Sequence, residues 1–160
     1  MRRTARIVLL DGAGRILLMR FADAARPDHG HIWVTPGGGV RRWERLRAAA
    51  ARELREETGL VVAARSLGPV VALGGGYADL GWAKGMFRDD YFLHRVDSHD
   101  VDTRGFSALE RRNQGGHRWW TVDELRSTTE TVYPLGLAAL VEDLNAGREP
   151  ATPVRLPWHH

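Results

Sequence analysis

Four glutamates punctuate one short stretch of this chain, residues 37–60, GGGVRRWERLRAAAARELREETGL, and their order constrains fold and chemistry more than any other feature. Glu44 stands in the segment leading into the helical run, and Glu53, Glu56 and Glu57 stand within it. At about 100° per residue, Glu57 lies roughly +40° and Glu56 roughly −60° from Glu53, so three carboxylates share about a 100° arc of one helix. Like charges at this spacing repel by a few tenths of a kcal/mol per pair even when exposed. A hard divalent cation bound through oxygen turns that repulsion into a site, and such clusters suit Mg²⁺ or Mn²⁺. Arg52 falls about 40° from Glu56, one turn back, where it can pair with Glu56 or orient a neighbouring carboxylate. Leu46, Ala50 and Leu54 form a narrow apolar stripe beside the acidic arc, and the alanines from 48 to 51 keep that surface thin enough to lie close against a sheet. Gly59 sits where a left-handed residue would end the helix, and Gly37, Gly38 and Gly39 before it let backbone approach a phosphate or metal.

The order Gly38, five residues, Glu44, seven residues, Arg52-Glu53-Leu54, one residue, Glu56-Glu57, one residue, Gly59-Leu60 is the full Nudix box, and residues 38–60 resemble the Nudix hydrolase family. Trp33 shortly before Pro36-Gly37-Gly38, and Trp119-Trp120-Thr121 followed by Glu124-Leu125, are similar to bacterial members of that family. One departure is the Arg41-Arg42-Trp43 segment, which stands where the family commonly carries an acidic residue and a glycine turn. The resemblance implies an α/β fold, a Nudix-type α/β/α sandwich with a mixed β-sheet, in a single domain over residues 1–160. It implies a metal-dependent hydrolase that cleaves a diphosphate linkage in a nucleoside diphosphate joined to another moiety. Glu53, Glu56 and Glu57 would hold Mg²⁺ or Mn²⁺, with Glu53 or Glu56 also able to accept a proton, and Arg52 would orient a glutamate. Glu44 would stabilise the loop, and backbone near Gly38 would face metal or phosphate. The family's general base is not always in the box, which makes Glu110, in a polar segment far along the chain, a second candidate.

Arginine and lysine total 23 against 20 aspartates and glutamates, a net charge of +3, and Lys84 is the only lysine. That excess is not a basic stripe, and no aromatic-basic RNA motif accompanies it, so the expected partner is a small nucleotide rather than nucleic acid. The absence of cysteine excludes disulfides, thiolate chemistry and a Cys-ligated zinc. The apolar run near the start ends at Asp11, too short for a signal peptide or a membrane span, so a soluble cytoplasmic protein is expected, with a homodimer left open. A Nudix-fold module that senses a nucleotide without cutting it is the alternative, although such modules usually lose box carboxylates.

Residues 5–11 and 16–20 are apolar runs around Asp11-Gly12-Ala13-Gly14 and predict a hairpin. Residues 21–31 predict a loop at the mouth of the box, carrying His29 and His31, followed by a short strand over 32–35. Residues 60–73 predict one bent strand or two short ones, broken by Gly74-Gly75-Gly76, and residues 82–96 predict strands around a break at Gly85. Trp82, Phe87 and Tyr91 there, and Trp43 in the altered loop, are candidates to stack on a base, Trp82 and Tyr91 foremost. Residues 97–114 predict a long mobile loop. A short strand over 117–120, a capping box at Thr121 and an amphipathic helix over 134–144 complete the pattern, with an extended tail from 147.

Overall fold

Alternation along the first strand sets the layers. In β1 (Arg2–Leu10) Ala5, Ile7 and Leu9 face one way and Val8 and Leu10 the other, as a two-residue period requires. The first set packs on Ala49, Ala50 and Leu54 of α1 (Leu46–Thr58), and the second on Leu140, Val141 and Leu144 of α4 (Leu137–Asn145). β2 (Ile16–Ala22) repeats the division, with Leu17 and Met19 toward α1 and Ile16 and Leu18 toward α4. The result is an α/β/α sandwich. The computed structural model describes residues 1–160 apart from 24, 25, 27 and 29 and the side chains at 109, 112 and 113, so the expectation attached to His29 lies outside the described residues.

The remaining strands are β3 (His31–Val34), β4 (Gly37–Gly39), β5 (Val70–Asp79), β6 (Lys84–Arg95), β7 (Gln114–Trp120), β8 (Thr131–Tyr133) and β9 (Val154–Arg155). They form a mixed sheet in the order β8-β3-β2-β1-β6-β5-β9, with β4 on β1 and β7 on β2. β1 and β6 run parallel from Arg2 opposite Phe87 to Leu10 opposite Arg95. The other edge of β1 is divided: Thr4, Ala5 and Arg6 pair with β4, while Leu10 pairs with Ile16 of β2. The expected hairpin is therefore a tight turn after which β2 diverges to pair with β3 and β7. Through the gap so opened, the glycine backbone of β4 reaches α1.

Two predicted breaks are absent. β5 runs through Gly74-Gly75-Gly76, because β6 pairs along its whole length and keeps the ladder satisfied. The glycines provide room instead: a Cβ on Gly76 would lie 2.4 Å from the Trp158 ring. β6 likewise continues through Gly85, and β5 begins only at Val70, after a single helical turn at Ala64–Ser66. Within residues 97–114 lies α2 (Ala108–Asn113), and Thr121 caps α3 (Val122–Ser127), which packs with α4. No helix among the described residues is long and apolar enough to cross a membrane.

Candidate active site

α1 ends where its sequence says it should: Gly59 adopts φ 75° and donates its N–H to the Arg55 carbonyl. Its alanine face lies so close to the sheet that Glu53 and Glu57, at the rim of that face, are themselves buried, at 7% and 6% exposure. Glu57 Oε2 accepts the Gly37 N–H at 2.9 Å. Glu53 presses on Gly38, where an added Cβ would fall 2.7 Å from its carboxylate, so only glycine permits this approach. The strand β4 and the helix α1 thus hold each other through two glutamates.

Arg52 organises the other carboxylates. Its guanidinium donates to Glu44 twice, at 2.7 and 2.9 Å, to Glu53 Oε1 at 2.6 Å, to Glu56 Oε2 at 3.2 Å and to the Gly39 carbonyl at 3.0 Å. Glu44 also accepts the Arg41 N–H at 2.9 Å, so it ties the loop of residues 40–45 to the helix. These Arg52 hydrogen bonds hold the Glu44 carboxyl down at about 2. Burial pushes Glu53 up, against the pull of Arg52. Burial pushes Glu57 much further, to about 8, against the Gly37 N–H and the attraction of Arg6, with Glu53 and Glu110 adding to the rise. Among the described residues the carboxylates do not converge into a metal-holding group as arranged, because Arg52 Nη1 stands between Glu53 and Glu56 while Glu57 turns to Gly37. The donor set nevertheless fits a hard divalent cation: every donor is a carboxylate oxygen, and Glu57 is a buried acid with no ion pair among the described residues.

Glu110 reaches the same region from the segment expected to be mobile. That segment is anchored to the end of α1: the Thr58 carbonyl accepts the Asp102 N–H at 2.9 Å and lies 2.7 Å from His99 Nε2, and Gly105 packs on the Glu56 backbone. Glu110 closes a capping box with Ser107, accepting the Ser107 N–H at 2.6 Å, and from there its charge acts on Glu57.

On the opposite face of the sheet from α1, a cavity of about 560 Å³ opens beside Gly38 and Gly39. Its floor is Thr4 and Arg6 of β1 with Phe87, Asp89 and Tyr91 of β6, side by side in the parallel register. Arg6 donates to the Thr35 and Gly37 carbonyls at 3.3 and 3.2 Å and feels Asp89 on the cavity side and Glu57 and Glu53 on the helix side. Of the stacking candidates, Trp82 borders the cavity and is 70% exposed, whereas Tyr91 is buried in the core and directs its hydroxyl to Asp89. Trp43 projects into solvent at φ 66°, away from these groups, and His31 is exposed in β3. Sequence reasoning missed Arg6, Asp89 and the tail residues Trp158, His159 and His160, which form a cavity wall. A visible signal existed for one of them: Asp89-Asp90 is a pair of adjacent acids directly before the apolar run Tyr91-Phe92-Leu93.

A stretch of 61 residues is 43% identical to an RNA pyrophosphohydrolase of Dinoroseobacter shibae, taking in 38% of this chain and 36% of the relative's length. The fold matches that of a MutT protein from Methanosarcina mazei Go1, with a TM-score of 0.67 at 19% identity over 93% of this chain and 96% of that one. It also matches the NUDIX domain of Shewanella oneidensis NrtR complexed with ADP ribose, with a TM-score of 0.66 at 17% identity over 89% and 87% of the two chains. With the box complete, its glutamates gathered against β4 and the NUDIX domain family matching residues 1–139, the chain belongs to that family.

Proposed function

We propose that this chain is a metal-dependent hydrolase of phosphoric anhydride bonds, cleaving a diphosphate linkage in a nucleoside diphosphate joined to another moiety. The observation that carries this reading is the position of Glu53 and Glu57, buried acids that meet the backbone of Gly37 and Gly38 at the edge of a cavity of about 560 Å³, within the range of small-molecule sites. A magnesium or manganese ion bound there by Glu53, Glu56 and Glu57 would neutralise phosphate charge and lower the pKa of the attacking water. Arg52 orients Glu53 and Glu56, and Glu44 fixes both Arg52 and the loop that carries Arg41. The proton of the water passes to a carboxylate: Glu53 or Glu56 within the box, or Glu110, whose charge already acts on Glu57. Arg6 sits between the cavity and the carboxylates, where it attracts phosphates toward the box. The name of the D. shibae relative, an RNA pyrophosphohydrolase, supports cleavage of a phosphoric anhydride bond.

The experiment is a panel of nucleoside triphosphates, dinucleoside polyphosphates and nucleoside diphosphate conjugates, each with Mg²⁺ and with Mn²⁺, followed by phosphate release and identification of the nucleotide product. Turnover of at least one of these that stops on chelation is expected. A protein that binds a nucleotide tightly and cuts none would be a sensing module instead.

A further inference from the structure

The cavity contains a charge that the proposed hydrolysis does not use. Asp89 lies on its floor, 7% exposed, and accepts hydrogen bonds from the Thr4 hydroxyl and, at 3.4 Å, from the Tyr91 hydroxyl. Both donors are neutral. No arginine, lysine or histidine among the described residues forms an ion pair with Asp89; Arg3 and Arg88 alike bind its neighbour Asp90 at 3.0 Å. A carboxylate offers about four lone-pair positions, and the two hydroxyls fill only part of that capacity. A buried carboxylate facing a cavity repels a phosphate and costs free energy unless donors reach it. The floor of the cavity therefore carries two unlike groups, Asp89 beside Thr4 and Arg6 beside Tyr91 in the β1–β6 pairing. Arg6 and the glycines suit the anionic part of a ligand, and Asp89 suits a part that presents N–H groups.

The surroundings of Asp89 describe that part further. Phe87, Trp82 and Trp158 border the space, with Trp158 stacked on Phe87 at 6.5 Å between ring centres. The chain's own His159 and His160, flat rings bearing N–H groups, stand in the cavity within reach of Asp89's charge, and His159 stacks on Tyr133 at 3.9 Å. Among the common bases, guanine alone carries two adjacent donors on one edge, its ring N1–H and its 2-amino group, which match the two oxygens of a carboxylate. Adenine and cytosine set a donor beside an acceptor, and uracil sets one donor between two acceptors. We infer that Asp89 determines the specificity of this cavity by accepting the two adjacent N–H groups of a guanine base. The inference rests on the nucleotide-hydrolase reading and names the base that it would take.

The test is equilibrium binding of GMP, IMP, AMP and CMP with Mg²⁺, read by tryptophan fluorescence or calorimetry, which does not depend on turnover. IMP differs from GMP only by the missing amino group. GMP should bind about tenfold or more tighter than IMP, the worth of one charge-assisted hydrogen bond, and AMP should bind more weakly still. Asp89→Asn keeps the shape but presents an N–H to the base, and should reduce the ratio of GMP to IMP affinity to within about twofold. Thr4→Val keeps the charge and removes one hydroxyl that fixes it; it should retain the sign of the preference and shrink it, and it serves if Asp89→Asn fails to fold by circular dichroism. Equal binding of GMP and IMP, a preference that survives Asp89→Asn, or no binding of any of the four overturns the inference even where hydrolysis proceeds. A guanine preference that Asp89→Asn abolishes sustains it, even in a protein that cuts nothing, which would overturn only the hydrolase reading.

Discussion

Replacing Glu57 with glutamine should stabilise the metal-free protein above neutral pH while removing its response to a divalent cation. The Glu57 carboxyl is buried and its folded-state pKa lies at about 8, against an ordinary 4.5. Because the folded value is the higher one, the associated stability is complete below about 4.5 and is lost as the pH rises through about 8. At about 1.4 kcal/mol per pH unit, the loss across that window has an upper limit of roughly 5 kcal/mol. Water entry and side-chain relaxation take part of it and leave about 2 to 3 kcal/mol, or roughly 4 to 12 °C in melting temperature for a domain of this size. Glutamine cannot ionise and still offers a carbonyl oxygen to the Gly37 N–H. Thermal unfolding in chelator at about pH 5.5 and about pH 8.5 measures the effect. The wild type should lose more stability than Glu57→Gln between these conditions, and excess Mg²⁺ should restore the wild type alone, by about 2.7 kcal/mol at a hundred times the dissociation constant. Equal pH dependence in the two proteins would refute the reasoning, as would a variant that is the less stable of the two at the higher pH.

Gly38→Ala should fold yet lose roughly 10² in turnover, since its Cβ would displace the Glu53 carboxylate by about an ångström; an unchanged kcat would separate Glu53 from the chemistry. Arg52→Lys keeps the charge but not the fork that holds Glu44, Glu53 and Glu56 together, so kcat should fall by roughly tenfold or more with folding retained, as checked by steady-state kinetics beside circular dichroism. Glu110→Gln should lower turnover by roughly 10² to 10⁴ if it takes the water's proton, whereas Ser107→Ala, which breaks the same capping box, should cost about 1 kcal/mol of stability and little activity. Equal kcat losses in that pair would mean that Glu110 acts through the helix end alone.

The box helix was legible because three signals agreed: the stripe of Leu46, Ala50 and Leu54, the acidic arc beside it, and Gly59 at the end. The α/β/α layering was implied by the resemblance of residues 38–60, and the unbroken apolar run Ile7-Val8-Leu9-Leu10 agrees with a strand covered on both faces. The glycine strands were not legible. Gly37, Gly38 and Gly39 have no side-chain preference for a strand, and β4 exists because Thr4, Ala5 and Arg6 offer it an edge. Gly74, Gly75 and Gly76 read as a break because local propensity competes with a long ladder to β6, and the ladder wins. At the site, the pairing of Arg52 with Glu56 is local and could be read from spacing, but its grip on Glu44 depends on how the loop turns. Arg6 and Asp89 come together only through the parallel pairing of β1 with β6, whose partners lie more than eighty residues apart in the chain.

The central claim, that box carboxylates perform metal-dependent hydrolysis, is tested most directly by kcat with Mg²⁺ for Glu53→Gln and Glu57→Gln beside Glu142→Gln, a glutamate on α4 that pairs with Arg126 at the surface. Both box variants should fold and lose about a thousandfold in turnover, roughly 4 kcal/mol in barrier height, while Glu142→Gln matches the wild type and chelation abolishes activity in all. Box variants that hydrolyse every wild-type substrate at unchanged rates, or full wild-type activity in excess chelator, would contradict it.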